Sequence, residues 1–205
     1  MFDIFVKLMA ARDTGTEKLI KDTAKRIFFA EGKLHTTTQE IADAAGICRT
    51  SLHYYYKSRD ELIKQVFYEA ANMLSDKLHS LMESKLGFRE KIEEMISIVL
   101  NETMAYPYRE TFLVTEMLSE NTDLYKLKEE AAPHMQAFLK EVEKEMEAGT
   151  ITKMRPVQFM MNLFALTSYP LLMQPLQKVL FNLSDEQYTS LINERKKLVV
   201  DMLFR

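Results

Sequence analysis

The stretch TQEIADAAGICRTSLHYYYK, residues 38–57, decides how this chain folds. Thr38 is a good helix N-cap, and a short helix is expected from about Gln39 to Ala45. Gly46 then breaks it, where the turn needs a positive φ. A second short helix is expected from about Arg49 to Tyr55. Ile41, Ala45, Ile47 and Leu52 supply buried apolar positions on the pair, and Ala42 is small where the two cross closely. Two short helices joined by a turn of about three to four residues make a helix-turn-helix. Such a unit lays its second helix in the DNA major groove while the first crosses the backbone.

The second helix carries matching chemistry. Arg49 can bond bidentately to guanine O6 and N7. Thr50 and Ser51 are short enough to meet base edges, thymine methyls or phosphate. His53 and Tyr54 can hydrogen-bond to the nucleic-acid backbone or stack against it. Tyr55, Lys57 and Arg59 lie near the start of the next helix, where amides and cations favour phosphate. Thr38 can do likewise, and Gln39 beside it reaches towards a base edge. Periodicity assigns Tyr56 to the core. Taken singly, Arg49 or the tyrosines would read as ordinary surface and core residues. The fit over twenty consecutive positions is what selects DNA contact.

Working outward, a helix is expected from near Thr16, with Leu19, Ile20, Ala24, Ile27 and Phe28 on one face and Gly32 as its stop. Ser58 and Glu61 form a capping box for a long helix at about 59–84, lined by Leu62, Val66, Phe67, Ala70, Met73, Leu74, Leu78 and Leu81. Beyond Gly87 the pattern predicts helices at about 88–105, 108–119 and 122–147, the last with Pro133 as a kink. Further helices follow at about 156–168, 171–181 and 185–203, with Pro170 and Pro175 as breaks and Ser184 as a cap.

Composition agrees with an all-α chain. Only five Gly and five Pro occur in 205 residues, too few for the turns of an all-β protein. Cys48 is the sole cysteine, which excludes an internal disulfide and a thiolate metal cluster and suits a reducing cytoplasm. No run reaches a membrane span. The opening residues MFDIFVKLM lack a basic region, so a signal peptide is not expected; they read as a terminal arm, or as the product of an upstream start with Met9 the true beginning. The net charge is −3, but residues 1–66 carry eleven Lys/Arg against nine Asp/Glu, and residues 67–205 carry sixteen against twenty-one. A mildly basic end joined to an acidic remainder suggests two jobs.

Residues of about 16–67, above all AGICRTSLHYYYKSRDELI (45–63), resemble the DNA-binding domain of TetR-type transcriptional repressors. The usual form there is close to A-G-V-S-x-G-T-L-Y-x-Y-F-x-S-K-E-E-L. Ile47, Ser51, Leu52, Tyr55, Ser58, Glu61 and Leu62 match it directly or conservatively, and Tyr56, Arg59 and Asp60 are mild substitutions. Cys48 stands where the family has a capping Ser, Thr50 where it has Gly, and His53 where it has Tyr. These departures bear on the operator sequence. Cys48 also raises the idea of a redox sensor, but without a resolving cysteine it reads as a small residue at a helix start. The resemblance implies an N-terminal three-helix domain at 1–66 and a larger helical effector-binding and dimerisation domain at 67–205. It also implies a homodimer on a palindromic double-stranded operator, released by a small molecule, with the long helix at about 59–84 as the lever between domains.

Twelve of the fourteen methionines lie beyond residue 70, interleaved with phenylalanines. Methionine suits adaptable apolar sites. The expected ligand site comprises Met104, Tyr108, Phe112, Met117, His134, Met135, Phe138, Met161 and Phe164, with Tyr125 and Tyr169 as further polar contacts. It should take an apolar or aromatic, neutral or weakly charged effector. Leu191, Leu198, Val199 and Met202 form a stripe on the last helix, and dimerisation is expected through about 156–204 as a four-helix bundle. The alternative is control by a protein partner, or no small-molecule ligand. No Gly-rich phosphate loop or His-x-x-x-His pair occurs, the four His are scattered, and Glu141, Glu143, Glu145 and Glu147 read as a solvated face. No catalytic residue, cofactor or metal is therefore expected.

Overall fold

The computed structural model describes residues 15–118 and 124–204, and the side chains of these except at 116–118 and 124–131. The N-terminal arm and the expected contacts Met117 and Tyr125 lie outside that description. Every regular element among the described residues is a helix. The chain divides into two compact units, Met1–Ala71 and Asn72–Arg205.

In the first unit, α1 covers 15–30 and ends in a π-helical turn, Arg26–Ala30, in which three successive residues, Ile27, Phe28 and Phe29, are buried. Residue 15 is already helical, so Thr16 is not the cap. Gly32 follows with φ 70°, as its place after the last periodic residues foretold. Helix α2 (Thr38–Ala44) is capped by Thr37 rather than Thr38. Among these threonines only Thr37 has an acid three residues on. Its hydroxyl accepts from the Glu40 N–H at 3.3 Å, and its own N–H donates to the Glu40 carboxylate at 2.7 Å. Those bonds from Thr37 hold the Glu40 carboxyl below its usual range. Gly46 takes φ 67°. A Cβ there would meet open space, so the backbone angle alone demands glycine.

Helix α3 (Arg49–Tyr55) and the start of α4 (Arg59–Met82) complete the unit. Ile20, Phe28, Ile41, Leu52 and Leu62 have no exposed surface, and Tyr56 is buried as expected. Its hydroxyl donates to Glu17 at 3.4 Å. Burial, and then the Glu17 charge, push that phenol above its ordinary range. Ala45 and Ile47 are only half-buried, because they sit on the turn side of the crossing rather than in it. Each fully buried Leu or Ile here contributes about 1.5–3 kcal/mol.

The second unit contains the rest of α4 with α5 (Phe88–Ala105), α6 (Arg109–Leu118), α7 (Leu124–Glu147), α8 (Pro156–Leu172), α9 (Gln174–Leu180) and α10 (Asp185–Leu203). Helices α5, α7, α8 and α10 pack around one core. Phe88 lies at its centre, with the rings of Phe138, Phe159 and Phe204 at 5.9–6.0 Å. Lys91 is buried beside them. Its ammonium donates to the Met82 carbonyl at 2.9 Å and to both Glu141 carboxylate oxygens at 2.9 and 3.0 Å, tying the end of α4 to α7. Glu141 is thus an ion-pair partner, not merely a solvated residue.

Three expectations fail here for tertiary reasons. Pro170 does not end α8, which continues to Leu172. A proline at 170 cannot donate to the Leu166 carbonyl one turn earlier. Arg195 on α10 does so instead, through Nε at 2.6 Å, and Tyr188 donates to the Pro170 carbonyl. Burial lowers the Arg195 guanidinium's affinity for its proton. The last helix also splits the expected stripe: Leu191, Leu198 and Met202 are exposed, whereas Val199, about 100° round from Leu198, is buried. Met73 likewise points to solvent rather than joining the α4 core face. No helix among the described residues is long and apolar enough to cross a membrane.

Candidate nucleic-acid interface

Helix α3 is held by one face. Leu52 is fully buried and Tyr56 follows it inward, so the opposite side must face solvent. Arg49, Thr50, His53 and Tyr54 are all exposed, and Tyr54 is 76% exposed. Ser51 and Tyr55 are half-buried at the margins. The Arg49 Nε donates to the His53 Nε2 at 3.1 Å, one turn along. This leaves the guanidinium's terminal nitrogens to project outward. Tyr54 meets Tyr55 edge-to-face at 5.2 Å, which props an exposed aromatic ring upright.

The N-terminal turn of α3 is an exposed hydroxyl and thiol cluster. Cys48 Sγ lies 3.0 Å from Ser51 Oγ and 3.1 Å from Thr50 Oγ1. The Ser51 hydroxyl first, and then that of Thr50, bring the thiol down to about 7. As the substitution of cysteine for serine implies, its side chain makes no cap hydrogen bond.

The flanking residues divide. Lys57 is exposed, and its N–H donates to Glu61 at 2.9 Å while Glu61 N–H donates to Ser58 at 3.1 Å. Gln39 is exposed and donates to Asp43 at 2.8 Å. Thr38 is buried at the first turn of α2, and Thr37 takes the capping position before it. Arg59 departs most from expectation. Its guanidinium donates to the Leu34 carbonyl and to Asp60 at 2.6 Å, and lies 5.9 Å from the centre of the Phe28 ring. It braces the loop after α1 rather than reaching for phosphate, because the Phe28 face and that carbonyl lie within its length.

The expected ligand residues of the second unit are not brought together. Phe138 is in the core against Phe88. Met135 packs at the core's edge. His134 stacks on His79 at 4.3 Å and lies 2.8 Å from Glu83 through Nδ1. Phe112 is buried, while Met104, Tyr108, Met161 and Tyr169 are exposed. Phe164 borders a crevice of about 10 Å³, lined also by Leu78, Met95, Ile96, Val99, Leu163 and Thr167. Sequence reasoning missed that lining because Leu and Ile carry no functional signal, although the spacing of Met95 and Val99 was legible. Among the described residues no three His, Cys, Asp or Glu side chains cluster closely enough to hold a metal ion.

Residues 20–66 match the profile of the tetR family of bacterial regulatory proteins. The chain is 27% identical over 84 residues to the HTH-type transcriptional repressor KstR2 of Rhodococcus jostii, a match covering 41% of each. It is 24% identical over 109 residues to the HTH-type transcriptional regulator YhgD of Bacillus subtilis, covering 53% of this chain and 54% of that one. These matches span roughly half or less of either relative's length. The fold resembles a solved TetR family transcription regulator from Marinobacter aquaeolei, with TM-score 0.60, 19% identity, and coverage of 95% of this chain and 98% of that one. Residues 20–66 thus carry a helix-turn-helix of the tetR type, and the fold of the whole chain is similar to that of a solved TetR family regulator.

Proposed function

We propose that this protein is a dimeric transcriptional regulator that grips a palindromic operator through α3. The observation that carries the reading is the one-sided burial of α3. Leu52 anchors it, while Arg49, Thr50, His53 and Tyr54 stand free on the outer side. Arg49 is the base reader; Thr50, Ser51, His53, Tyr54, Tyr55, Lys57, Gln39 and the α2 N-terminus bind backbone or base edges. Residues 1–66 would then be the reader domain and 67–205 the effector and dimer domain. A two-fold dimer would set its two α3 helices about 34–36 Å apart, one turn of DNA. Exposed Leu191, Leu198 and Met202 on α10, together with the apolar surface of α8 and α9, support dimerisation through about 156–204.

In this reading a small apolar effector bound in the second unit favours a state that releases the operator, which it can do only by binding that state more tightly. The tightness of the crevice supports a second reading, control by a protein partner or by no ligand. Selection of bound fragments from random duplex DNA, repeated with a panel of apolar ligands, tests both. A palindromic consensus whose recovery falls with a ligand supports the first; a consensus indifferent to every ligand favours the second; no consensus overturns DNA as the partner. Binding should also fall steeply with salt, and Lys57→Ala should lower the slope of log K against log salt by about 1.

A further inference from the structure

Threonines inside helices usually return their hydroxyl to the carbonyl four residues back. In this chain Thr115 does so at 2.9 Å, Thr167 at 2.7 Å and Thr189 at 2.8 Å. Thr103 does not. It has no exposed surface, and its hydroxyl has no hydrogen-bond partner among the described residues. A buried hydroxyl left unpaired is costly.

Its position explains what it could serve. Met95, Val99 and Thr103 are spaced four apart on α5, so they form one stripe along the helix. Met95 and Val99 line the crevice between α4, α5 and α8. Thr103 continues that wall by one turn. From Met95 to Thr103 the stripe measures about 12 Å, the reach of a medium-length alkyl chain. The crevice is lined by apolar side chains and by Thr167, whose hydroxyl is already bonded to the Leu163 carbonyl; Phe164 at its border is part-exposed, and Met95 is a side chain that adapts readily.

The neighbouring charges are already balanced. Buried Arg109 bonds to Glu110 at 3.0 Å and to Glu102 at 3.4 Å, and Lys77 bonds to Glu102 at 2.6 Å. Among the described residues these charges are already engaged with one another, so none of them is offered to a charged head group.

We infer that the effector is an uncharged, oxygen-bearing apolar molecule, such as an alcohol, ketone or ester, whose oxygen bonds to the Thr103 hydroxyl while its chain parts the crevice along α5. This rests on the small-molecule reading of the second unit.

The test uses the full chain and three probes of equal length: octan-1-ol, octanoate and octylammonium. Binding is followed by thermal shift and by intrinsic tyrosine fluorescence. The inference expects octan-1-ol to bind most tightly. Thr103→Val, which keeps the shape, should weaken it roughly three- to tenfold and at the same time raise the Tm of the free protein. Tightest binding of octanoate or octylammonium overturns the inference. So does a valine variant with unchanged octan-1-ol affinity and a lowered Tm, which would mark Thr103 as a structural residue satisfied by water. In either case probes still bind, and the effector reading stands. If no probe of any head group binds, this inference falls together with the small-molecule reading, and the reading of a protein partner or no ligand stands. Should the valine variant not fold, the order of the three probes on the unaltered protein decides alone.

Discussion

Helices α3 and α9 have the same length, seven residues, and opposite surfaces. Helix α3 buries Leu52 completely and shows solvent an arginine, a threonine, a histidine and a tyrosine. Helix α9 buries nothing, and exposes Leu176, Val179 and Leu180, with Phe181 directly after it. Val179 is 79% exposed. A short helix has little stability of its own, so each must be held by something. The first is held by its own unit and left with a polar face, which suits a charged, hydrated partner such as DNA. The second has an apolar face that the described residues do not cover, which suits an apolar partner surface.

Four experiments break or sharpen that contrast. The largest effect is expected at α9. Val179→Glu with Leu180→Glu should convert the proposed dimer to monomer in light scattering, with little loss of helicity, since neither residue is in a core. A variant that stays dimeric would move the interface off this surface. Next, Leu52→Ala should cost the first unit about 2–5 kcal/mol in denaturant unfolding, because Leu52 is its buried anchor. A cost under about 1 kcal/mol would mean that α3 is held by its caps instead.

Arg49→Ala should leave stability and dimerisation intact and weaken specific operator binding by about 1–3 kcal/mol in a fluorescence titration. Unchanged affinity would remove Arg49 from the reader face. The smallest effect concerns Cys48. The folded-state thiol lies near 7, against 9.0 for an ordinary one, so its thiolate fraction is already large at neutral pH. Its alkylation rate should rise with pH about a midpoint near 7 in native protein. Ser51→Ala removes the leading cause and should move that midpoint upward. A native midpoint near 9 would mean that the hydroxyl cluster does not persist in solution.

Legibility followed locality. Helices at 88–105 and 185–203 were readable to the residue because their signals are contained within one turn. Ser184 accepts from the Gln187 N–H at 3.2 Å, and Gly87 N–H donates to Glu90 at 3.0 Å. The cap of α2 was misread by one position within a run of threonines, since the deciding acid was not weighed against each. Arg59 looked like a phosphate ligand because its spacing after α3 is right. Nothing local reveals that Phe28 and the Leu34 carbonyl, from another part of the unit, come within its reach.

The sequence alone determined the all-helical class, the helix-turn-helix and which side of its second helix is exposed. The 3.6-residue period, the caps and the positive φ at Gly46 are properties of short stretches, and they survive any packing. Tertiary structure alone decided which apolar residues would be core, crevice or open surface. Phe138, Phe164 and Phe181 look alike in the sequence, yet the first is sealed in the core, the second borders a crevice and the third faces solvent. It also decided that α8 would pass through Pro170, because the donor that replaces the missing N–H belongs to α10. Burial is a property of what lies across from a residue, and the partners across from these lie tens of residues away in the chain.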